Sequence, residues 1–145
     1  MKILTTLIVA LGILFAPFKE QKEEVTLTVT IDGLRNSEGY VTIALHNGET
    51  EFPGDEGFMM KSVKAKKGSI EVTFEKVPTG EYAIAVMHDE NGNEEMDFNE
   101  YGMPTEGFGF SNEATAEMGP PDFDEASFDV TEDTDHYVEI VYMGG

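Results

Sequence analysis

The sequence predicts an all-β fold, a seven-stranded antiparallel sandwich with one long aromatic loop. Three observations predict it. Apolar and polar residues alternate at a period of two in successive short stretches. Clusters of Gly, Pro, Asn and Ser separate those stretches. Beyond Phe18 no run repeats at the helical period.

Val25, Leu27, Val29 and Ile31 alternate with Thr26, Thr28 and Thr30, which suits a strand with β-branched residues on both faces. Arg35-Asn36-Ser37-Glu38-Gly39 turns the chain, and Val41, Ile43 and Leu45 form the next strand up to His46-Asn47-Gly48. After a polar loop with Pro53 and Gly54, Met59 to Ala65 is a weaker strand. Its lysines (Lys61, Lys64, with Lys66 just beyond) suit an exposed edge that resists aggregation. Lys67-Gly68 leads into Ile70, Val72 and Phe74, and Pro78-Thr79-Gly80 turns into Tyr82 to Met87. That stretch is apolar at every position, as in a strand central in its sheet or buried on both faces. A long loop is expected from His88 to Asp124. Phe128 with Val130, and Val138 with Ile140 and Tyr142, close the sandwich. Seven strands with turns between them suggest an immunoglobulin-like arrangement, although the chain lacks Trp and Cys.

Met1 to Phe18 has one Lys, an apolar stretch and Pro17 before the polar run KEQKEE, the pattern of a signal peptide. An uncleaved anchor is the alternative, although the stretch is short for a membrane span. Residues 19–145 are expected to form a single domain, secreted or held in the periplasm or cell envelope, with no stable membrane span after cleavage. The absence of cysteine removes disulfides, thiol catalysis and thiolate metal sites.

The chain holds 29 acidic residues against 9 basic ones, a net charge of -20. Such a balance excludes an ordinary nucleic-acid binder and disfavours anionic membrane surfaces. The charge is uneven: Lys76 is the last basic residue, and 18 of the 29 acids follow it. A solubilising coat explains much of this excess, and a cation site would use part of it.

Asp89 to Glu100 reads DENGNEEMDFNE. Against the twelve-residue EF-hand calcium loop, Asp89, Asn91, Asn93, Glu95 (through its carbonyl), Asp97 and Glu100 fall on the ligand positions. Oxygens at alternate residues suit a hard cation, and calcium (Ca2+) is the expected cofactor. Glu94 stands where that loop has its turning glycine, so a different bend is expected and Glu100 is the least secure ligand. A plain Asx-rich turn would look similar.

Glu100 to Phe123 places Tyr101, Phe108, Phe110 and Phe123 among glycines and prolines. Such a loop either packs its rings over the sandwich end or presents them to a glycan or an extracellular protein. In the second case Tyr101, Phe108 and Phe110 would stack on the ligand, with Glu106, Ser111 and Asn112 hydrogen-bonding it.

His46, His88 and His136 share no metal-ligand spacing and read as structural or surface residues, His88 being notable beside Asp89. No Ser-His-Asp motif, phosphate loop or HExxH is present. Two alternatives remain beside the non-enzymatic calcium-binding module. One is a hydrolase-like enzyme with a site at His88 and residues 106–112; the other is a ligand-free acidic envelope protein.

The segments VPTGEYA (Val77 to Ala83), HDENGN (His88 to Asn93) and PTEGFGFSN (Pro104 to Asn112), with Leu34, Gly39 to Leu45, Asp97 and Gly119-Pro120-Pro121, resemble the bacterial domain of unknown function 2141 family. The resemblance covers essentially the whole chain after the leader. It implies a secreted or periplasmic β-sandwich and carries no activity with it. In that family the Asp/Asn loop usually has glycine where Glu94 stands, which implies weaker ion affinity here. VPTGEYAIAV is also similar to the turn of transthyretin-like and carboxypeptidase-regulatory sandwiches.

Overall fold

The computed structural model describes residues 20–144. The expected leader, Met1 to Phe18, lies outside the described residues. Eight strands are formed: β1 (Glu24–Leu34), β2 (Tyr40–His46), β3 (Met59–Lys64), β4 (Gly68–Pro78), β5 (Gly80–Asp89), β6 (Gly107–Phe110), β7 (Phe128–Val130) and β8 (Thr134–Glu139). A 3-10 turn spans Ser111–Glu113 and one helical turn, α1, spans Phe123–Ala126. Among the described residues no helix is long and apolar enough to cross a membrane.

The strands make two sheets, one in the order β4-β1-β8 and one in the order β3-β2-β5-β6, with β7 also on β5. The period-two patterns decide which faces meet. Leu27, Val29 and Ile31 of β1 and Phe74 of β4 face Val41, Ile43 and Leu45 of β2 and Ile84 and Val86 of β5 in one buried cluster. Each such side chain taken fully out of water contributes about 1.5–3 kcal/mol before the entropy of ordering it. Thr26, Thr28 and Thr30 stand half-buried on the other face of β1. β3 lies at its sheet's edge with Lys61 and Lys64 exposed, and β5, the all-apolar stretch, lies between β2 on one side and β6 and β7 on the other.

The chain changes sheets between β4 and β5. Tyr82, just past that corner, is buried and its hydroxyl donates to the Pro78 carbonyl at 2.6 Å. The bond ties the start of β5 to the end of β4.

Three expectations are corrected. The sandwich has eight strands, because β6 forms inside the stretch expected to be loop. Glycines lower strand propensity, yet here close packing requires them. A Cβ on Gly107 would sit 2.4 Å from the Tyr142 ring, and one on Gly109 would sit 2.3 Å from the Glu139 carbonyl oxygen. The arrangement is also not wholly antiparallel: β8 runs parallel to β1, from Leu27 beside Thr134 to Asp32 beside Glu139. Finally, the last strand is Thr134–Glu139 rather than the stretch from Val138 to Tyr142. The chain leaves β1 after Ile140, whose N–H reaches the Asp32 carbonyl at 2.8 Å, and Val141 then bridges to Phe108 of the other sheet. The helical turn α1 was also unexpected. It is a capping box, with Glu125 accepting from the Asp122 N–H at 2.8 Å.

Candidate functional site

β5 carries Asp89 to the end of the second sheet, where its Cα pairs with Tyr40 of β2. Gly39, at φ 66, lets the main chain pass directly over this point; a Cβ there would lie 1.9 Å from the Asp89 carbonyl oxygen. Asp89 is therefore only 2% exposed. The following residues curl around its carboxylate. Oδ1 accepts from the N–H groups of Gly92 at 2.8 Å and Asn93 at 3.2 Å, and Oδ2 accepts from Glu94 at 2.8 Å. Glu94 itself takes the left-handed conformation, φ 64. Gly92, two residues earlier, is left-handed as well, φ 71, so both residues carry the turn.

Asn91 and Asn93 continue the curl. Asn91 Oδ1 accepts from Asn93 N and Asn93 Oδ1 from Glu95 N, each at 3.1 Å. Both side-chain amides donate to Asp97, Asn91 at 2.6 Å to Oδ2 and Asn93 at 3.0 Å to each oxygen. Asp89, Asn91, Asn93 and Asp97 are thus joined in one hydrogen-bonded network. The Glu95 side chain is exposed and contributes its main chain alone.

Glu100 stands apart, exposed on a small hairpin. Phe98 pairs with Pro104, and Asn99 closes the tip by accepting at Oδ1 from the N–H groups of Tyr101 at 2.9 Å and Met103 at 3.0 Å. At the hairpin's base Thr105 donates twice to the Asp97 carbonyl, from N at 2.9 Å and from Oγ1 at 3.2 Å. This return sets the next residue, Glu106, beside the loop.

Glu106 is 4% exposed, and neither carboxyl oxygen has a hydrogen-bond partner of good geometry. Burial pushes its carboxyl up from the usual range, and the Asp89 and Asp97 carboxylates push the same way. The main-chain N–H groups of Asp97 and Asn91 pull against them. The sequence had placed Glu106 among the groups of the aromatic loop; the structure turns it toward the acidic loop. Among the described residues no three His, Cys, Asp or Glu side chains stand close enough to hold a metal ion as they are. Asn91 and Asn93 present N–H groups, not oxygens, to Asp97 in this arrangement.

The remaining expected site residues divide between packing and surface. His88 is fully buried, with Nε2 2.8 Å from the Glu38 carbonyl and Nδ1 2.6 Å from the Tyr142 hydroxyl. A carbonyl only accepts, so Nε2 carries the proton and Nδ1 accepts from Tyr142, whose oxygen accepts from Arg35 N–H at 3.1 Å. The Arg35 guanidinium lies over the Tyr142 ring at 4.3 Å and grips Glu90 with two bonds of 2.6 and 2.9 Å. Those bonds hold the Glu90 carboxyl below its usual range. Sequence reading missed the Arg35, Glu90 and Tyr142 cluster, because its members are distant in the chain and follow no motif.

Ser111 is also fully buried. Its Oγ accepts from Ile84 N at 2.7 Å and donates to the Ala126 carbonyl at 2.5 Å. His88 sits opposite Gly107 on β6, whereas Ser111 bonds Ile84, four residues away along β5 or about 13 Å. The two do not share a cleft. Asn112 joins the 3-10 turn to its neighbours through His136 Nε2 at 3.3 Å and the Glu125 carbonyl at 3.1 Å. Phe108 is buried, Phe110 half-buried against Phe52, and Tyr101 80% exposed. His46 is fully buried, with Nδ1 on the Thr50 hydroxyl at 2.9 Å and Nε2 unpartnered; His136 stacks on Phe128 at 3.9 Å.

Two facing sheets with an acidic Asx loop at one end define a β-sandwich-like domain whose polar chemistry is concentrated in residues 89–106. A bacterial family described as "Uncharacterized protein conserved in bacteria (DUF2141)" matches residues 29–138, and the chain belongs to that family. No curated protein and no solved structure matches the chain.

Proposed function

We propose that this chain is a non-enzymatic cation-binding module of the bacterial envelope, and that calcium is its ion. The carboxylates of Asp89, Asp97 and Glu106 are the charged ligands; Asn91, Asn93 and the Glu95 carbonyl supply neutral oxygens. Glu106 takes the part that spacing alone gave to Glu100. The observation that carries this reading is the buried Glu106, without a hydrogen bond of good geometry and facing two further carboxylates. An isolated buried carboxylate is unfavourable by several kcal/mol unless a cation or donors compensate it. A divalent ion would do so by drawing the Asp89, Asp97 and Glu106 carboxylates closer together than they stand, with Asn91 and Asn93 turning their amide oxygens inward. A flexible set of hard oxygens suits calcium better than magnesium, which demands a near-ideal octahedron.

The leader-like Met1–Phe18 supports export to a compartment where calcium is available. Among the arrangements a two-sheet domain allows, the immunoglobulin-like or transthyretin-like one is favoured by the Tyr82 hydroxyl tied back across the sheet-changing corner.

Thermal unfolding of the purified protein in calcium and in chelator tests the reading. At a calcium concentration of about 100 Kd the ion should add about 2.7 kcal/mol and raise the midpoint by several degrees. Glu106→Gln should abolish the shift while making the protein more stable than wild type in chelator, by about 1 kcal/mol or more, since a buried charge is removed. No calcium shift in the wild type ends the proposal. An unchanged shift in Glu106→Gln removes Glu106 from the site.

A further inference from the structure

Along the seam where β6 and β8 end their respective sheets, a groove of about 430 Å3 opens to solvent. Its floor is apolar: Phe108, with Tyr137, Val141 and Met143 still 52, 46 and 44% exposed. Glu113, Glu117 and Glu139 line its sides, and no basic residue does. Asp32 lies just behind, bonded to the Tyr137 hydroxyl at 3.1 Å. The ion pair among the described residues joins Arg35 to Glu90, so the groove's three carboxylates stay unneutralised. At the seam the sheets are joined by two main-chain bonds between Phe108 and Val141, of 3.1 and 2.9 Å. Beside them β8 pairs, among the described residues, with β1 alone.

We propose that this groove binds an extended segment of a partner protein in which basic and apolar residues alternate. In a strand, successive side chains point to opposite sides, so apolar residues can settle on the floor while basic ones turn outward to the acidic sides. Charge complementarity selects this occupant. A nucleic acid or an acidic peptide meets repulsion from three carboxylates, and an uncharged glycan gains nothing from them. The groove's volume falls within the range of small-ligand sites and takes only a few side chains, so the contact is weak and salt-dependent. None of the residues proposed to hold the cation lines the groove.

The test uses a fluorescein-labelled synthetic octapeptide of alternating Lys and Val, followed by anisotropy against the purified protein. Glu117→Gln with Glu139→Gln should weaken binding at least fivefold, and so should Val141→Ser with Met143→Ser, which leaves the charge untouched. Glu71→Gln with Glu75→Gln, on exposed β4 at the opposite edge of the sheet, should change it less than twofold. Unfolding midpoints establish that each variant is folded, and Met143→Ser alone replaces the serine pair if the pair unfolds. Absence of wild-type binding overturns the proposal. So does an equal loss in the β4 variant, or full binding by a folded serine variant, because either makes the interaction a general attraction of a −20 chain for any cation.

Discussion

Asp89 and Glu106 are both buried carboxylates with opposite surroundings. Asp89 accepts three main-chain N–H groups, which shape the loop around it. Glu106 has no bond of good geometry, only the nearby main-chain N–H groups of Asp97 and Asn91, and it faces two other acids. His46 illustrates the same economy of partners on the basic side. It is fully buried with Nε2 unpartnered, and burial holds its pKa below the usual histidine value. The unfolded chain therefore takes up a proton near pH 6.5, before the folded protein does. Stability attributable to His46 is complete above that pH and falls as the pH drops toward the lower folded value. Unfolding midpoints of wild type and His46→Gln between pH 8 and pH 5 should show a steeper acid decline in the wild type; parallel curves would remove His46 as the cause. At this scale the polar curl of Asp89, Asn91, Asn93 and Asp97 was legible as an oxygen-rich loop, because spacing by two brings alternate side chains of a turning loop to one side. Glu106 was visible as a residue but not as a partner of Asp89, because burial and orientation are not properties of a residue's neighbours in sequence.

At the scale of elements, the loop and β6 both depend on backbone conformation that composition conceals. Glu94 adopts the left-handed region, where a residue with a Cβ is disfavoured by about 1–2 kcal/mol, and three bonds to Asp89 hold the turn in which it lies. β6 has the opposite property: its glycines read as loop but pack against the end of the chain. Gly109→Ala should cost about 3 kcal/mol or more in urea unfolding, because its Cβ would meet the fixed Glu139 carbonyl. Gly102→Ala, at φ 74 with nothing within 4 Å, should cost about 1 kcal/mol from backbone strain alone. Equal costs would mean that β6 can move away from β8 and that the seam is loose. The hairpin between Asp97 and Thr105 is the element that matters most to the site, since its closure sets Glu106 in place. The hairpin lies inside the stretch expected to be one long loop, and the two bonds from Thr105 to Asp97 have no signal in the sequence.

Over the whole molecule, charge and topology act together. Eighteen of the 29 acids follow Lys76, so β5 to β8 and the loops between them carry most of the self-repulsion. The Arg35–Glu90 ion pair relieves little of it. Raising sodium chloride from 10 to 500 mM in chelator should lift the unfolding midpoint by several degrees, because the Debye length falls from about 30 Å to a few ångströms. A midpoint independent of salt would mean that the acids are spaced widely enough not to interact. The parallel placement of β8 beside β1 brings Tyr137 and Glu139 to the seam, where the next residues cross to Phe108. That single pairing creates the groove.

The sequence by itself determined the β class, the principal apolar strands, the lysine-bearing edge and the Asp89–Asp97 oxygen spacing, all of which are written in local periodicity and turn chemistry. Tertiary structure alone decided β6, the parallel direction of β8, the fate of the histidines and Ser111, and the partner of Asp89. Each of these depends on what a distant segment brings within a few ångströms: the Glu139 carbonyl over Gly109, Tyr142 on His88, and the Thr105 return that delivers Glu106. A period records which side of a strand faces inward. It does not record which other strand lies there.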